Sequence, residues 1–133
     1  MLLIDTNVLL RCSQGRAMVR LLALLDRDIQ LATTDRNALE FERRLVEVFG
    51  YSRLESLNEV ERVLEMIEVI PAAAYEHARA AADERLRDGG KSDWPLLAAA
   101  LALDVRIWSD DVDFFGVGVP VWSTPNVRLV ELA

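Results

Sequence analysis

With 133 residues, of which 52% are apolar and 28% charged, the chain is large enough to form one domain with its own core, and its composition argues against disorder. No apolar run approaches the roughly 18 residues needed to cross a bilayer, which argues against a membrane protein. The net charge of −7 counts against binding nucleic acid through a broad basic surface, but not against an enzyme that meets phosphate through divalent cations, because such cations reverse the local charge.

Short apolar runs alternate with amphipathic segments along the chain. Residues 1–4 predict a buried strand, and Thr6 and Asn7 are suitable N-caps for the helix that follows. In chain order we predict a strand at 1–4, helices at 8–12 and 17–25, a strand at 29–33, a helix from 35 or 37 to Gly50, a helix at 54–67, a strand at 68–70, a helix at 72–87, a loop at 88–90, a helix opening at 92–93, and strands at 105–108 and 119–122. This order predicts an α/β fold with a parallel sheet, in one domain over residues 1–133.

Acidic residues follow two of the predicted strands. Asp5 follows the first strand, and Asp111 and Asp113 follow the strand at 105–108. Because functional crevices of parallel sheets lie beyond the carboxyl ends of the strands, we expect these three carboxylates at one edge of the sheet. Asp93 reaches the same edge if its helix begins there, and Glu40 can face the crevice from the helix after the second strand.

Carboxylates gathered at one edge predict a divalent cation. One pair at 4 Å repels by roughly 4 kcal/mol at an effective dielectric of about 20, and a cation removes that repulsion. Ligands that are all oxygen select Mg²⁺ or Mn²⁺, and one histidine and one cysteine far apart offer no soft-metal site. Such an ion suits phosphodiester hydrolysis, because it polarises the phosphate and lowers the pKa of an attacking water. The i, i+2 pair Asp111 and Asp113 converges only in a turn, which the composition of 109–113 permits.

Each acid also has an ordinary interpretation. Asp5 and Asp93 are suited to cap the helices that they precede, and Glu40, like Glu42, can be a solvated helix residue. The acidic run at 109–113 can be a solvated turn. The joint pattern carries more weight than its members, because the strand ends place most of them at one edge of the sheet.

The same residues resemble the motifs of the PIN-domain family, the nuclease fold of VapC-type toxins from bacterial and archaeal toxin–antitoxin systems. The resemblance covers nearly the whole chain. It is carried by Ile4-Asp5-Thr6-Asn7-Val8-Leu9, by Leu39-Glu40-Phe41 with Leu45, by Asp93 with the apolar run 96–100, by Trp108-Ser109-Asp110-Asp111-Val112-Asp113-Phe114, and by the final strand at 118–122. Glu40 fits the apolar spacing of the second motif better than Glu42.

This resemblance implies an α/β/α sandwich with a central parallel sheet and Mg²⁺- or Mn²⁺-dependent endoribonuclease activity on RNA. The catalytic residues that it implies are Asp5, Glu40, Asp93, Asp111 and Asp113. Of these, we expect Asp5, Asp93 and Asp111 to hold the principal ion. Thr6 and Ser109 are expected as hydroxyl partners near the site. Asn7 is expected to orient Asp5.

A toxin of this family would have a small antitoxin as its partner, blocking the acidic cleft. Homodimers are common in the family, and the apolar face of the helix at 54–67 is a candidate interface. The apolar start without a basic leader, together with the lone Cys12, predicts a reduced, cytoplasmic protein. The arginines next to Glu40, at positions 36, 43 and 44, are either a solvated face or contacts to RNA phosphate.

Two other functions are compatible with part of this pattern. The first is an interaction module of the same fold that keeps the acidic pocket but lacks catalysis. The second is a phosphoacceptor signalling domain, but such a domain usually has an early acidic pair and a lysine after a late strand. Here the first strand ends in a single acid, and Lys91, the sole lysine, lies in a loop before a helix.

Overall fold

The computed structural model describes residues 1–130, and within them five strands form one all-parallel sheet. The strands are β1 (Leu2–Ile4), β2 (Leu31–Thr34), β3 (Glu68–Ile70), β4 (Arg106–Trp108) and β5 (Val121–Trp122). The helices are α1 (Thr6–Ser13), α2 (Met18–Asp26), α3 (Asp35–Glu47), α4 (Arg53–Leu64), α5 (Arg79–Arg85) and α6 (Trp94–Leu103). Short 3₁₀ segments occur at Ala72–Ala74, Glu76–Ala78, Asp88–Asp93, Val112–Phe114 and Val127–Leu129.

The sheet separates two hydrophobic clusters, one on each face. Side chains alternate along β1, so Leu2 and Ile4 enter one cluster and Leu3 enters the other. Helices α1 to α4 contribute to the first cluster, whereas α5 and α6 contribute to the second. This arrangement confirms the predicted α/β/α sandwich, and it buries the parallel sheet on both faces.

The strand order β3-β2-β1-β4-β5 places β1 at the centre of the sheet. From β1 the chain builds outward to β2 and β3, and then crosses back through α5 and α6 to β4 on the other side. The direction of growth therefore reverses between β1 and β4. Open parallel sheets form their binding crevices at such a reversal, beyond the carboxyl ends of the strands.

Polar side chains at strand ends decide where α1 and α3 begin. α1 begins at Thr6, and its N-cap is Asp5 rather than Thr6 or Asn7. α3 begins at Asp35, one of its two predicted starts, and the Thr34 hydroxyl caps it by accepting a backbone N–H of the first turn. The acid that follows β1 is thus both a helix cap and a candidate site residue.

The predicted helix over residues 72–87 is wrong in its first half. Two 3₁₀ turns come first, and α5 begins only at Arg79. The Asp35 carboxylate explains the break, because it accepts hydrogen bonds from the N–H of Ala72, at 3.0 Å, and from the hydroxyl of fully buried Tyr75. These contacts with α3 outweigh the helix propensity of an alanine-rich segment.

Other predicted elements are present with shifted ends. The helix predicted at 54–67 is α4, which follows a capping box of Ser52 and Glu55 and ends at Leu64. The final strand β5 is shorter than the predicted 119–122. The apolar α6 has ten residues, and no helix within residues 1–130 is long and apolar enough to cross a membrane.

Adjacent leucines of α2 allow the importance of the first cluster to be tested. Leu21 is fully buried, whereas Leu22 is 45% exposed. We expect Leu21→Ala to lower the free energy of unfolding by about 2–5 kcal/mol, because it leaves a cavity in the core. Leu22→Ala carries the same change in helix propensity and should cost less than about 1 kcal/mol. Urea unfolding measures both, and equal losses would contradict the packing described here.

Candidate metal centre

The ends of β1 and β4 lie side by side and bring two polar residues together. Ile4 is paired with Trp108 in the sheet, and the N–H of Asp5 donates to the carbonyl of Trp108 at 3.0 Å. The next residue of β4's chain, Ser109, is fully buried and donates its hydroxyl to Oδ2 of Asp5 at 2.7 Å. The strand register therefore determines the first contact of the site.

Asp5 is held at both of its carboxylate oxygens. Oδ1 accepts the N–H of Thr6 at 2.8 Å, and Oδ2 accepts the hydroxyl of Ser109. The side chain is almost fully buried, and this burial raises its pKa to about 6, although the hydrogen bonds from Ser109 and Thr6 oppose the shift and the charges of Asp111 and Glu40 add to it. Each oxygen of an ionised carboxylate accepts more than one bond, so Asp5 can cap α1 and still face a cation.

The turn after β4 brings Asp111 and Asp113 together, as their i, i+2 spacing requires. The Ser109 hydroxyl also accepts the N–H of Asp111 at 3.0 Å, and Oδ1 of Asp111 accepts the N–H of Asp113 at 2.9 Å. These bonds fold residues 112–114 into a 3₁₀ turn. Carboxylate oxygens of Asp93, Asp111 and Asp113 then lie within 4.8 Å of one another, and all three residues are half-buried.

Asp93 is the most strongly perturbed acid of this group. Burial raises its pKa to about 7, and the charges of Asp5, Asp111, Asp113 and Glu40 add to the shift, in that order. Its side chain makes no capping hydrogen bond to α6, although it stands at the N-cap position. The ordinary interpretation of Asp93 as a helix cap is therefore wrong, and its carboxylate is left to the cluster.

Gly90 allows the segment that carries Asp93 to approach the turn after β4. A Cβ built at Gly90 would lie 3.0 Å from both Cβ and Cγ of Asp113, closer than side chains normally tolerate. The sequence predicts residues 88–90 only as a loop, without this role. A glycine three residues before a candidate acid was the one available signal.

A cavity of about 380 Å³ opens beside these acids. Glu40 lines it together with Asp5 and Asp93, whereas Glu42 lines a different cavity. The charge of Glu40 also acts on both aspartates, as their raised pKa values record. The geometry thus places Glu40, rather than Glu42, at the cluster.

Asn37, predicted only as a possible helix start, lines the cavity. Its Nδ2 donates to the hydroxyl of Thr6 at 2.8 Å, and its Oδ1 accepts the hydroxyl of Thr34 at 2.6 Å. These bonds tie the beginning of α3 to the beginning of α1. Asn7, by contrast, is exposed and lines a separate cavity, so the hydrogen bonds that orient Asp5 come from Thr6 and Ser109 instead.

Asp110 lies in the same acidic run but points away from the cluster. Its carboxylate forms an ion pair with Arg11 and accepts both the N–H and the hydroxyl of Thr124, at 2.7 and 2.6 Å. It thus fastens the segment after β5 to the turn after β4. Asp110 was not among the predicted site residues, and its contacts give it a structural role instead.

The donor set fits a hard divalent cation. The three converging groups are all carboxylates, and Mg²⁺ and Mn²⁺ favour oxygen ligands. The ion pairs of residues 1–130 use Asp110, Asp83 and glutamates outside the cluster, so the negative charges of Asp93, Asp111 and Asp113 accumulate. The tightest group contains Asp113 where Asp5 was expected, and Asp5 lines the cavity next to it.

Comparisons with known proteins agree with this fold. Residues 3–131 match the family model described as PIN domain. VapBC2 from Rickettsia felis, solved bound to a DNA fragment from their promoter, matches with a TM-score of 0.70 and 14% identity, covering 92% of this chain and 97% of that chain. FitAcB from Neisseria gonorrhoeae matches with a TM-score of 0.62 and 21% identity, covering 93% and 98%.

A structure of FitAB bound to an IR36 DNA fragment matches with the same TM-score of 0.62 and 21% identity, covering 93% of this chain and 95% of that chain. No curated protein sequence was found to match. At these identities the solved structures establish a shared fold, and the family model adds a match in sequence over nearly the whole chain. The chain therefore belongs to the PIN domain family.

Proposed function

We propose that this PIN domain is an endoribonuclease that hydrolyses RNA phosphodiester bonds with the help of Mg²⁺ or Mn²⁺, and that it acts in the cytoplasm as the toxin of a toxin–antitoxin pair. The observation that carries the proposal is the convergence of Asp93, Asp111 and Asp113 within 4.8 Å at the reversal point of a parallel sheet. The choice of RNA as substrate follows from the family resemblance.

Each acid has a distinct task in this proposal. Asp93, Asp111 and Asp113 would hold the cation, which when bound supplies charge to polarise the phosphate and acidify a water. Asp5, fixed by Ser109 and Thr6, lines the cavity beside the cluster and would supply a further oxygen. Glu40 faces the cavity from α3 and is the candidate to accept the proton of the attacking water.

The proposed protein partners depend on the same family assignment. An antitoxin would cover the acidic cavity, and opposite charge on its surface would make the contact weaken in salt. A homodimer would use α4, where Leu54 and Leu57 are 68% and 42% exposed while Val63 is fully buried. The face of α4 that carries Val63 belongs to the core, so only its exposed leucines remain for such an interface.

The metal mechanism is tested by neutralising one acid inside the cluster and one outside it. Asp93→Asn should lower kcat on a fluorogenic RNA in Mn²⁺ at least about 100-fold, because it removes a ligand. Asp110→Asn is a matched control, since its side chain contacts Arg11 and Thr124 instead, and it should keep most activity.

Circular dichroism would verify that both variants fold, and calorimetry would measure Mn²⁺ binding. Cleavage that persists in EDTA would refute metal dependence. A folded wild-type protein that neither binds Mn²⁺ nor cleaves RNA would favour the interaction module over the enzyme.

Glu40 and Glu42 form a second matched pair. Glu40→Gln should lower kcat at least about tenfold, because it removes a carboxylate from the cavity. Glu42→Gln should leave kcat near the wild-type value, because Glu42 lines a different cavity. Single-turnover RNA cleavage distinguishes them, and the reverse order of effects would assign the second acidic motif to Glu42.

Protons and cations should compete for the cluster. Without metal, the pKa of Asp93 falls from about 7 in the folded chain to its ordinary 3.8 on unfolding, so the folded state binds the proton more tightly. Protonated Asp93 therefore adds to the free energy of unfolding below pH 4, and this contribution is lost as the pH rises to 7. Asp93→Asn removes this loss.

In EDTA we expect Asp93→Asn and the wild type to have the same free energy of unfolding near pH 4. Above pH 7 the variant should be more stable by about 1–2 kcal/mol, a value reduced because Asp93 is partly exposed. Millimolar Mn²⁺ should reverse the order at pH 7, because only the wild type keeps all the ligands. Urea unfolding between pH 4 and 8 measures the difference. A constant difference at every pH would contradict the electrostatic cause.

A further inference from the structure

Two arginines of α3 stand on either side of Glu40. Arg36 lies four residues before Glu40 and Arg43 lies three residues after it, so the three side chains share one helix face. All three line the cavity beside the acids. These are two positively charged side chains beside an acidic site, in a chain of net charge −7. Either a ligand or a structural contact must explain them.

Arg36 is held in a fixed position. It donates to the hydroxyl of Tyr75 at 3.0 Å and to Oε1 of Glu76 at 2.8 Å, and its guanidinium carbon lies 4.9 Å from the centre of the Trp94 ring. These bonds occupy two of the five N–H groups of a guanidinium. A guanidinium that is already ordered loses less entropy when it binds a phosphate.

Arg43 has little to hold it within the protein. Its side chain is 62% exposed, and its ion-pair partner Glu47 lies 3.8 Å away, longer than a hydrogen bond. Other arginines have clear structural tasks: Arg11 binds Asp110, and Arg27 donates to backbone carbonyls near residue 130. Arg43 is therefore available to a ligand in the cavity.

The geometry fits a nucleic acid backbone that crosses the acids. Seven residues of helix separate Arg36 from Arg43 by about 10.5 Å along the axis, so the two guanidinium groups can contact different phosphates of one strand. Asp5 is buried and Asp93 half-buried, and both line the same cavity of about 380 Å³ as the two arginines.

Resting on the proposed nuclease function, we infer that Arg36 and Arg43 bind the phosphates on either side of the scissile phosphate and align single-stranded RNA along α3. They are positioning residues, since the acids carry the chemistry. Their loss should weaken RNA binding and leave the bond-breaking step and the cation site intact.

The test compares Arg36→Ala and Arg43→Ala with Arg20→Ala, a charge-matched control on α2 that lines a different cavity. Each of the first two should raise KM for a short single-stranded RNA about tenfold with kcat nearly unchanged. Each should also lower the slope of log KM against log [NaCl] by about 0.7, the value for one phosphate contact on a single strand. Arg20→Ala should change neither quantity.

Two lysine variants distinguish a need for the oriented guanidinium from a need for positive charge alone. Arg43→Lys should keep the salt slope, because an exposed ammonium still contacts phosphate. Arg36→Lys should behave like Arg36→Ala, since the forked contact and the position over Trp94 need a guanidinium. Circular dichroism verifies folding, and calorimetric Mn²⁺ binding should match the wild type.

An unchanged KM and salt slope in Arg43→Ala, the more exposed of the two, would overturn the inference. So would tighter Mn²⁺ binding with unchanged KM, because the arginines would then act only as counter-charges to the acids. If wild-type protein cleaves no RNA, the nuclease proposal fails separately. The same salt series, read by fluorescence anisotropy on the intact labelled RNA, then decides whether Arg36 and Arg43 bind phosphate.

Discussion

The buried hydrogen bond from Ser109 to Asp5 joins the ends of the two strands between which the sheet reverses direction. It connects residues 104 positions apart in the chain, so it forms only when β1 and β4 are in register. The same hydroxyl accepts the N–H of Asp111, which starts the turn that brings Asp113 inward. One serine hydroxyl therefore couples sheet pairing, the cap of α1 and the shape of the acidic cluster.

This arrangement places the site in conflict with the stability of the metal-free chain. Asp5 and Asp93 both have raised pKa values, and in both the burial of the charge is the largest cause, with neighbouring carboxylates adding to it. The large core on both faces of the sheet offsets this unfavourable energy. A bound cation would remove this repulsion, and the relief would strengthen its binding. Carboxylates with raised pKa values are therefore informative about function.

Much of this site followed from strand-end reasoning, because a parallel sheet collects the residues after its strands at one edge. That rule found Asp5 and the turn after β4, and the family motifs added Asp93 and Glu40. The close approach at Gly90 and the break before α5 could not be derived from the sequence, where a glycine near Asp93 was the only hint of the first. Both depend on contacts between segments distant in sequence, the first with the turn at 111–113 and the second with α3, and local propensity carries no information about either.

The net charge of −7 illustrates the same difference between global and local properties. It argued against a broad basic surface for nucleic acid, and much of the negative charge near the cavity belongs to acids suited to hold a cation, while Arg36 and Arg43 stand at its edge. A divalent cation would cancel two of these negative charges, and the two arginines would offset two more at the edge of the cavity. Because electrostatic interactions fade within about 8–10 Å at physiological salt, a phosphate at the cavity would respond to this local balance and only weakly to the rest of the chain.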